Sequence, residues 1–236
     1  MERLWLVPTY VIVTFLAIGP LAAHFRILPP LAGFGLLLLA VLVGIVFGIG
    51  LAGAAAFASV TDKSWRPRAV RAAIVPLLVG VPVLALASLS KVPAIHDIST
   101  DLSDRLEFSA AVDTAVPNRE YEGPERVAVD DQQRESYPDV GPAKLALPPA
   151  EAFLRAKKVA SQMPGWEVTG DDPQAGRIEA TATSSFFHFV DDVVIRVRPD
   201  GDGSRVDMRS RSRVGQGDLG ANAKRIRAYM AALQVG

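Results

Sequence analysis

Arginines that recur at every second position are the residues best placed to do chemistry in this sequence. Arg196 and Arg198 lie on one run, and Arg209, Arg211 and Arg213 on the next. A period of two puts residues of an extended chain on one face, so a hairpin in register would gather these five guanidinium groups on one side of a sheet. Guanidinium groups hold carboxylate or phosphate through paired hydrogen bonds. Such a face would suit an anionic ligand, a lipid headgroup or an acidic protein surface. The competing reading is a solvated face laced with cross-strand ion pairs, partly neutralised by Glu179 and Asp207, each pair contributing little.

A second constellation is His188, Asp191 and Asp192, with Asp218 further on. Carboxylate oxygens and an imidazole suit a divalent cation, and such a centre would serve a metal-dependent hydrolase. Adjacent carboxylates on a strand point to opposite faces, so at most one of Asp191 and Asp192 can share a site with the others. A polar strand start is the simpler reading. Gly215-Gln216-Gly217-Asp218-Leu219-Gly220 satisfies G-x-G-x-x-G before a helix. A dinucleotide site needs a parallel β-α-β unit, whereas the preceding run alternates with arginine. The segment reads as a turn in which Asp218 caps the helix. Ser184, Ser185 and Ser210 lack a nucleophile elbow, and nothing assigns His96 or His188 as their base. No catalytic residue is assigned, no cofactor is expected, and the balance leans away from an enzyme. Phe186-Phe187-His188-Phe189 reads as an aromatic turn closing one end of a core, with insertion at a bilayer interface or the holding of a partner as the other reading.

The elements that must position these residues follow from periodicity. Ile178, Ala180 and Ala182 alternate with Glu179, Thr181 and Thr183; Val193, Ile195 and Val197 alternate with Val194, Arg196 and Arg198. Val206, Met208, Ser210 and Ser212 alternate with Asp207 and arginines. These are strands with one core face and one charged face. Asp200-Gly201 and Asp202-Gly203 favour a tight reversal between the last two. A helix opened by Pro148 and Pro149 carries Ala152, Phe153, Ala156, Val159, Ala160 and Met163 on one stripe, and Trp166 begins the first strand. The last helix carries Leu219, Asn222, Ile226, Tyr229, Met230 and Leu233. Residues 148–236 are therefore expected to form an α+β domain, a four-stranded antiparallel sheet with two helices on one face. Residues 92–147 are rich in proline yet too apolar for a free linker, and are expected to pack on the domain in extended form.

The chain has 236 residues, half of them hydrophobic, with 25 basic against 25 acidic side chains and no cysteine. It can therefore carry no disulfide and no thiolate site. Its apolar residues concentrate in 1–91, where 4–23, 31–60 and 72–90 contain no Asp, Glu, Lys or Arg. Each is long enough to cross about 30 Å of hydrocarbon, so a three-helix transmembrane anchor is expected. Lys63, Arg66, Arg68 and Arg71 outnumber Arg26 and place the second loop in the cytoplasm. The C-terminal domain would then face the periplasm or exterior, as a multi-pass protein of a bacterial inner membrane. Pro76 and Pro82 would kink the third span. Ala40, Gly44, Gly48, Ala52 and Ala56 form a small-residue stripe for helix packing within the anchor, or for a homodimer seam. No ionisable residue lies deep in a span, which argues against coupled transport.

Several stretches together resemble the domain-of-unknown-function 1499 family. They are Ile95-His96-Asp97-Ile98-Ser99-Thr100-Asp101, Tyr137-Pro138-Asp139, Glu179-Ala180-Thr181-Ala182-Thr183, Phe189-Val190-Asp191-Asp192-Val193-Val194-Ile195-Arg196 and Ser204-Arg205-Val206-Asp207-Met208-Arg209-Ser210. The resemblance covers about 92–233 and implies a mostly bacterial, often membrane-attached domain with no assigned chemistry. The expectation is a membrane-anchored, non-enzymatic envelope protein with the lipid bilayer and an anionic lipid headgroup or envelope protein as partners, and no nucleic acid. Its alternatives are the metal-dependent hydrolase and a structural subunit of a membrane complex.

Overall fold

The computed structural model describes residues 7–61, 67, 69, 70, 73, 74, 77, 78, 92–109 and 121–235. The chain divides into two compact units, Met1–Ser90 with Phe186–His188, and Lys91–Ser185 with Phe189–Gly236.

The first unit is built on α1 (Val7–His24) and α2 (Pro30–Thr61). Neither contains Asp, Glu, Lys or Arg, and Pro30 stands at the start of α2, where its missing N–H costs nothing. They approach closely where side chains are absent: a Cβ on Gly33 would fall 2.7 Å from the Gly19 carbonyl oxygen. Among the described residues one helix, Pro30–Phe57, is long and apolar enough to cross a membrane, and α1 adds a shorter apolar stretch, Val13–His24. Of the three spans expected, the described residues therefore show one. Most of the expected third span, Pro76 and Pro82 included, and the basic residues Lys63, Arg66, Arg68 and Arg71 lie outside them.

The second unit mixes helices with one antiparallel sheet. Strands β3 (Trp166–Asp172), β4 (Arg177–Thr183), β5 (Val190–Asp200) and β6 (Gly203–Ser212) form an antiparallel meander. The sheet has six strands where four were expected. Two three-residue strands, β1 (Asp97–Ser99) and β2 (Ala143–Leu145), both pair antiparallel with β6. Such short strands leave no alternation to read. The segment 92–147 also holds a helix, α3 (Gly123–Ser136), instead of being extended throughout. Its buried residues are Val129, Asp130 and Gln133, so it presents a partly polar face to the fold and shows no apolar period.

The other two helices are α4 (Pro149–Gln162) and α5 (Ala221–Val235). Ala152, Ala156 and Ala160 of α4 and Ile226, Tyr229 and Leu233 of α5 join Ile178, Ile195 and Met208 in one buried core. The Tyr229 hydroxyl donates to the Ala156 carbonyl at 2.9 Å, and its ring stacks on Trp166 at 5.5 Å. Leu219, expected on this face, sits ahead of α5 with φ 53° and is exposed. Gly176 lets β4 begin tight against β5: with φ 64°, a Cβ there would stand 2.1 Å from the Val197 carbonyl oxygen. Pairing of Arg196 with Asp207 and of Arg198 with Arg205 fixes the register of the hairpin.

Candidate functional site

The register places Asp192, Val194, Arg196 and Arg198 of β5 beside Arg211, Arg209, Asp207 and Arg205 of β6 on the face away from α4 and α5. That face is covered by the chain from Asp97 to Ser109. β1 pairs with β6, the Thr100 N–H donates to the Met208 carbonyl at 2.9 Å, and the Ser109 N–H reaches the Glu179 carboxylate at 2.9 Å. Leu106 and Phe108 bury against Val194 as a small second core.

Under this cover, two of the five arginines read as one anion-binding face, Arg209 and Arg211, are enclosed and closed to a ligand from solvent. Arg209 and Arg211 are 1% exposed and lie inside the protein. Arg209 grips Asp97 with two hydrogen bonds, Nε to Oδ1 at 2.9 Å and Nη2 to Oδ2 at 2.8 Å, and donates to the Leu106 carbonyl at 2.6 Å. The Phe108 ring carries both cations, the Arg209 guanidinium at 4.7 Å and that of Arg211 at 4.4 Å from its centroid. Arg126 donates to Asp97 at 3.1 Å, and Arg105 pairs with Asp130. Burial alone would push the Asp97 carboxyl up, but the charge and hydrogen bonds of Arg209, with Arg105 and Arg126, hold it far below the usual carboxylate range.

The arginines that reach solvent are at one corner and one end. Asp192 holds Arg213, whose Nε reaches both carboxylate oxygens at 3.1 Å and whose Nη2 donates to Oδ1 at 2.7 Å. Arg196 and Arg198 meet Arg205 at the opposite end, with side chains 25%, 32% and 27% exposed. Arg198 donates to Asp104 at 2.7 Å and Asp101 at 3.0 Å, and Arg205 donates to Asp101 at 2.7 Å and grips Asp207 with both Nε and Nη2. Arg196 pairs with Asp104 at 2.9 Å. Burial works to raise the Asp101 carboxyl, yet the Ser103 hydroxyl, the N–H groups of Asp104 and Ser103, and Arg205 bring it down to about 2. Beside Asp101 a cavity of about 470 Å³ is lined by Ser99, Ser103, Gln133, Tyr137 and Val140. Sequence reasoning passed over Arg205, Asp101 and Asp104. Arg205 shares the parity of Asp207 and Arg209, so its signal was present; Asp101 and Asp104 sit in a loop whose return to the sheet no pattern announces.

The carboxylates of the metal reading each have other partners. Asp191 pairs with Arg225 at 2.6 Å, and Asp192 with Arg213. Asp218 accepts the N–H groups of Gly220 at 2.8 Å and Asn222 at 2.9 Å, the helix-capping role the sequence suggested. His188 groups with the first unit and has φ 59°. Among the described residues no group of three or more His, Cys, Asp or Glu could hold a metal ion. Phe186, Phe187 and His188 also group with the first unit and are absent from the sheet core, which corrects their reading as a core closure. In the small-residue stripe, Ala40, Gly44 and Gly48 are buried, and Ala52 and Ala56 are exposed.

His96 is a further buried group the pattern did not mark. The Tyr121 hydroxyl lies 2.5 Å from its Nδ1, its carbonyl accepts from Asn222 Nδ2 at 3.0 Å and Ser212 N at 2.8 Å, and Nε2 has no hydrogen-bond partner among the described residues. Burial lowers its pKa, against the opposing pull of Asp97.

A family model described as a protein of unknown function, DUF1499, matches residues 97–233. No curated protein matches the chain. The crystal structure of TTHA0849 from Thermus thermophilus aligns over 40% of this chain and 89% of its own, at 10% identity and a TM-score of 0.22. That score is too low to support an argument from the likeness.

Proposed function

Because the chain belongs to the DUF1499 family, whose description carries no activity, we propose its role from geometry: a membrane-anchored, non-enzymatic interaction module whose Arg196–Arg198–Arg205 corner engages an anion. The observation that carries this reading is the convergence of three partly exposed guanidinium groups on shared carboxylates. The pairs that Arg196 and Arg198 make with the half-exposed Asp104 are screened by solvent and weak, so an incoming anion has little to displace there. The anchor rests on the apolar helix Pro30–Phe57 and on the charge-free runs of the sequence. The multi-pass inner-membrane placement, with the second unit facing the periplasm, rests on the basic residues between the spans.

Native mass spectrometry of the gently extracted full-length protein tests the reading beside an Arg196→Gln/Arg198→Gln variant. Both side chains are partly exposed, so the variant keeps the core intact. A retained anionic molecule that the variant loses supports the role and gives the ligand's mass. Identical spectra from the two proteins would overturn it.

A further inference from the structure

We infer that Asp104 is a detachable internal ligand of the arginine corner, and that a phosphate oxyanion binds Arg196 and Arg198 in its place. The inference rests on the anion-binding reading above and adds the ligand's chemical class and a gate.

Three carboxylates serve the corner, and they are not alike. Asp207 is fully buried and gripped by Arg205. Asp101 is nearly buried, and its Oδ1 accepts from the Ser103 N–H at 3.0 Å, the Ser103 hydroxyl at 2.7 Å and the Asp104 N–H at 3.0 Å, which builds the turn. Both are parts of the fold. The Asp104 side chain is 55% exposed, and one oxygen, Oδ2, serves both Arg196 at 2.9 Å and Arg198 at 2.7 Å. The turn holds Asp104 by its N–H, so its carboxylate can leave without untying the loop.

Charge sets what would replace it. Three arginines face three aspartates while Asp104 is seated; with its carboxylate withdrawn, three face two, and one positive charge is left at the surface. The neighbouring charges Lys144 with Asp200, and Arg177 with Glu179, are paired with each other. A tetrahedral oxyanion offers separate oxygens to the two guanidinium groups, where the carboxylate makes one oxygen serve both. A phosphate, free or on a lipid headgroup, is that chemistry.

The test is calorimetric titration of the full-length protein in neutral detergent, at fixed ionic strength, with inorganic phosphate in one arm and dihexanoyl phosphatidylglycerol in the other. Wild type, Asp104→Asn and Arg196→Gln/Arg198→Gln are compared, and melting curves confirm that each is folded. Asp104→Asn should bind about two- to fivefold more tightly than wild type, the size of a released surface ion pair, and the double variant should lose binding. Tightening toward the lipid alone assigns the headgroup as source, and tightening toward inorganic phosphate assigns the free anion. If Asp104→Asn binds no more tightly while the double variant still loses binding, the gate is wrong and the anion site stands. If the double variant binds as wild type does, the corner is not the anion site and both readings fall; if neither probe binds wild type or Asp104→Asn, the phosphate inference falls.

Discussion

The two faces of one sheet solve burial in opposite ways. Against α4 and α5, Ile178, Ile195, Val206 and Met208 exclude water with apolar surface, which is favourable in proportion to the area removed. On the other face, Asp97, Arg209 and Arg211 are equally enclosed, yet they are charged, and Leu106 and Phe108 lie against the two arginines. Taking charges out of water is costly unless each finds a partner in good geometry. The first face therefore tolerates adjustment of its side chains, and the second is held by a set of mutual dependencies in which no member can be removed alone.

That contrast is broken most severely by Asp97→Ala, which leaves buried Arg209 without its carboxylate. A loss of about 3–5 kcal/mol in urea unfolding of the full-length protein in detergent is expected. Ile195→Ala probes the apolar face and should cost about 3 kcal/mol through lost transfer energy and a cavity. Cutting the cap of α5 with Asp218→Ala is expected to cost about 1 kcal/mol, read from the same unfolding curves.

Acid separates the faces without mutation. Asp97 and Asp101 have carboxyls held below their ordinary value, so their contribution is present above about pH 4 and is lost as pH falls toward the folded values. His96, lowered from 6.5 by burial, adds an earlier loss that begins as pH drops below that value, because the unfolded chain takes up the proton first. Asp218, raised by burial, works in the opposite sense near pH 4. Melting temperature followed from pH 7.5 downward should decline in two stages, and His96→Gln should flatten the first. An unchanged first stage in that variant would remove His96 from the account.

The same contrast explains what the sequence disclosed. Period two in β4, β5 and β6 marked both faces of the meander, and the stripe Ala152, Phe153, Ala156, Ala160 marked α4, because apolar burial writes itself in residue type. The charged face was legible as a set of arginines but not as an interior. Burial by a loop leaves the alternation unchanged, and the cover, β1 with Leu106 and Phe108, is too short and irregular to carry a pattern. α3 stayed hidden for a related reason: Asp130 and Gln133 face inward to meet Arg105 and the backbone of Ser99. At the candidate site, Arg196 and Arg198 were legible, and Arg205 was readable by parity. Asp101 and Asp104 were not, since their approach depends on a pairing across about a hundred residues.

A double-mutant cycle on Asp97 and Arg209 tests most directly whether the covered face is a coupled ionic layer. Asp97→Leu, Arg209→Met and the pair are compared in urea unfolding of the full-length protein. The geometry predicts that the double replacement recovers much of what either single change loses, with a coupling energy above about 2 kcal/mol. Losses that simply add, within about 0.5 kcal/mol, would contradict it and return these arginines to a solvated face.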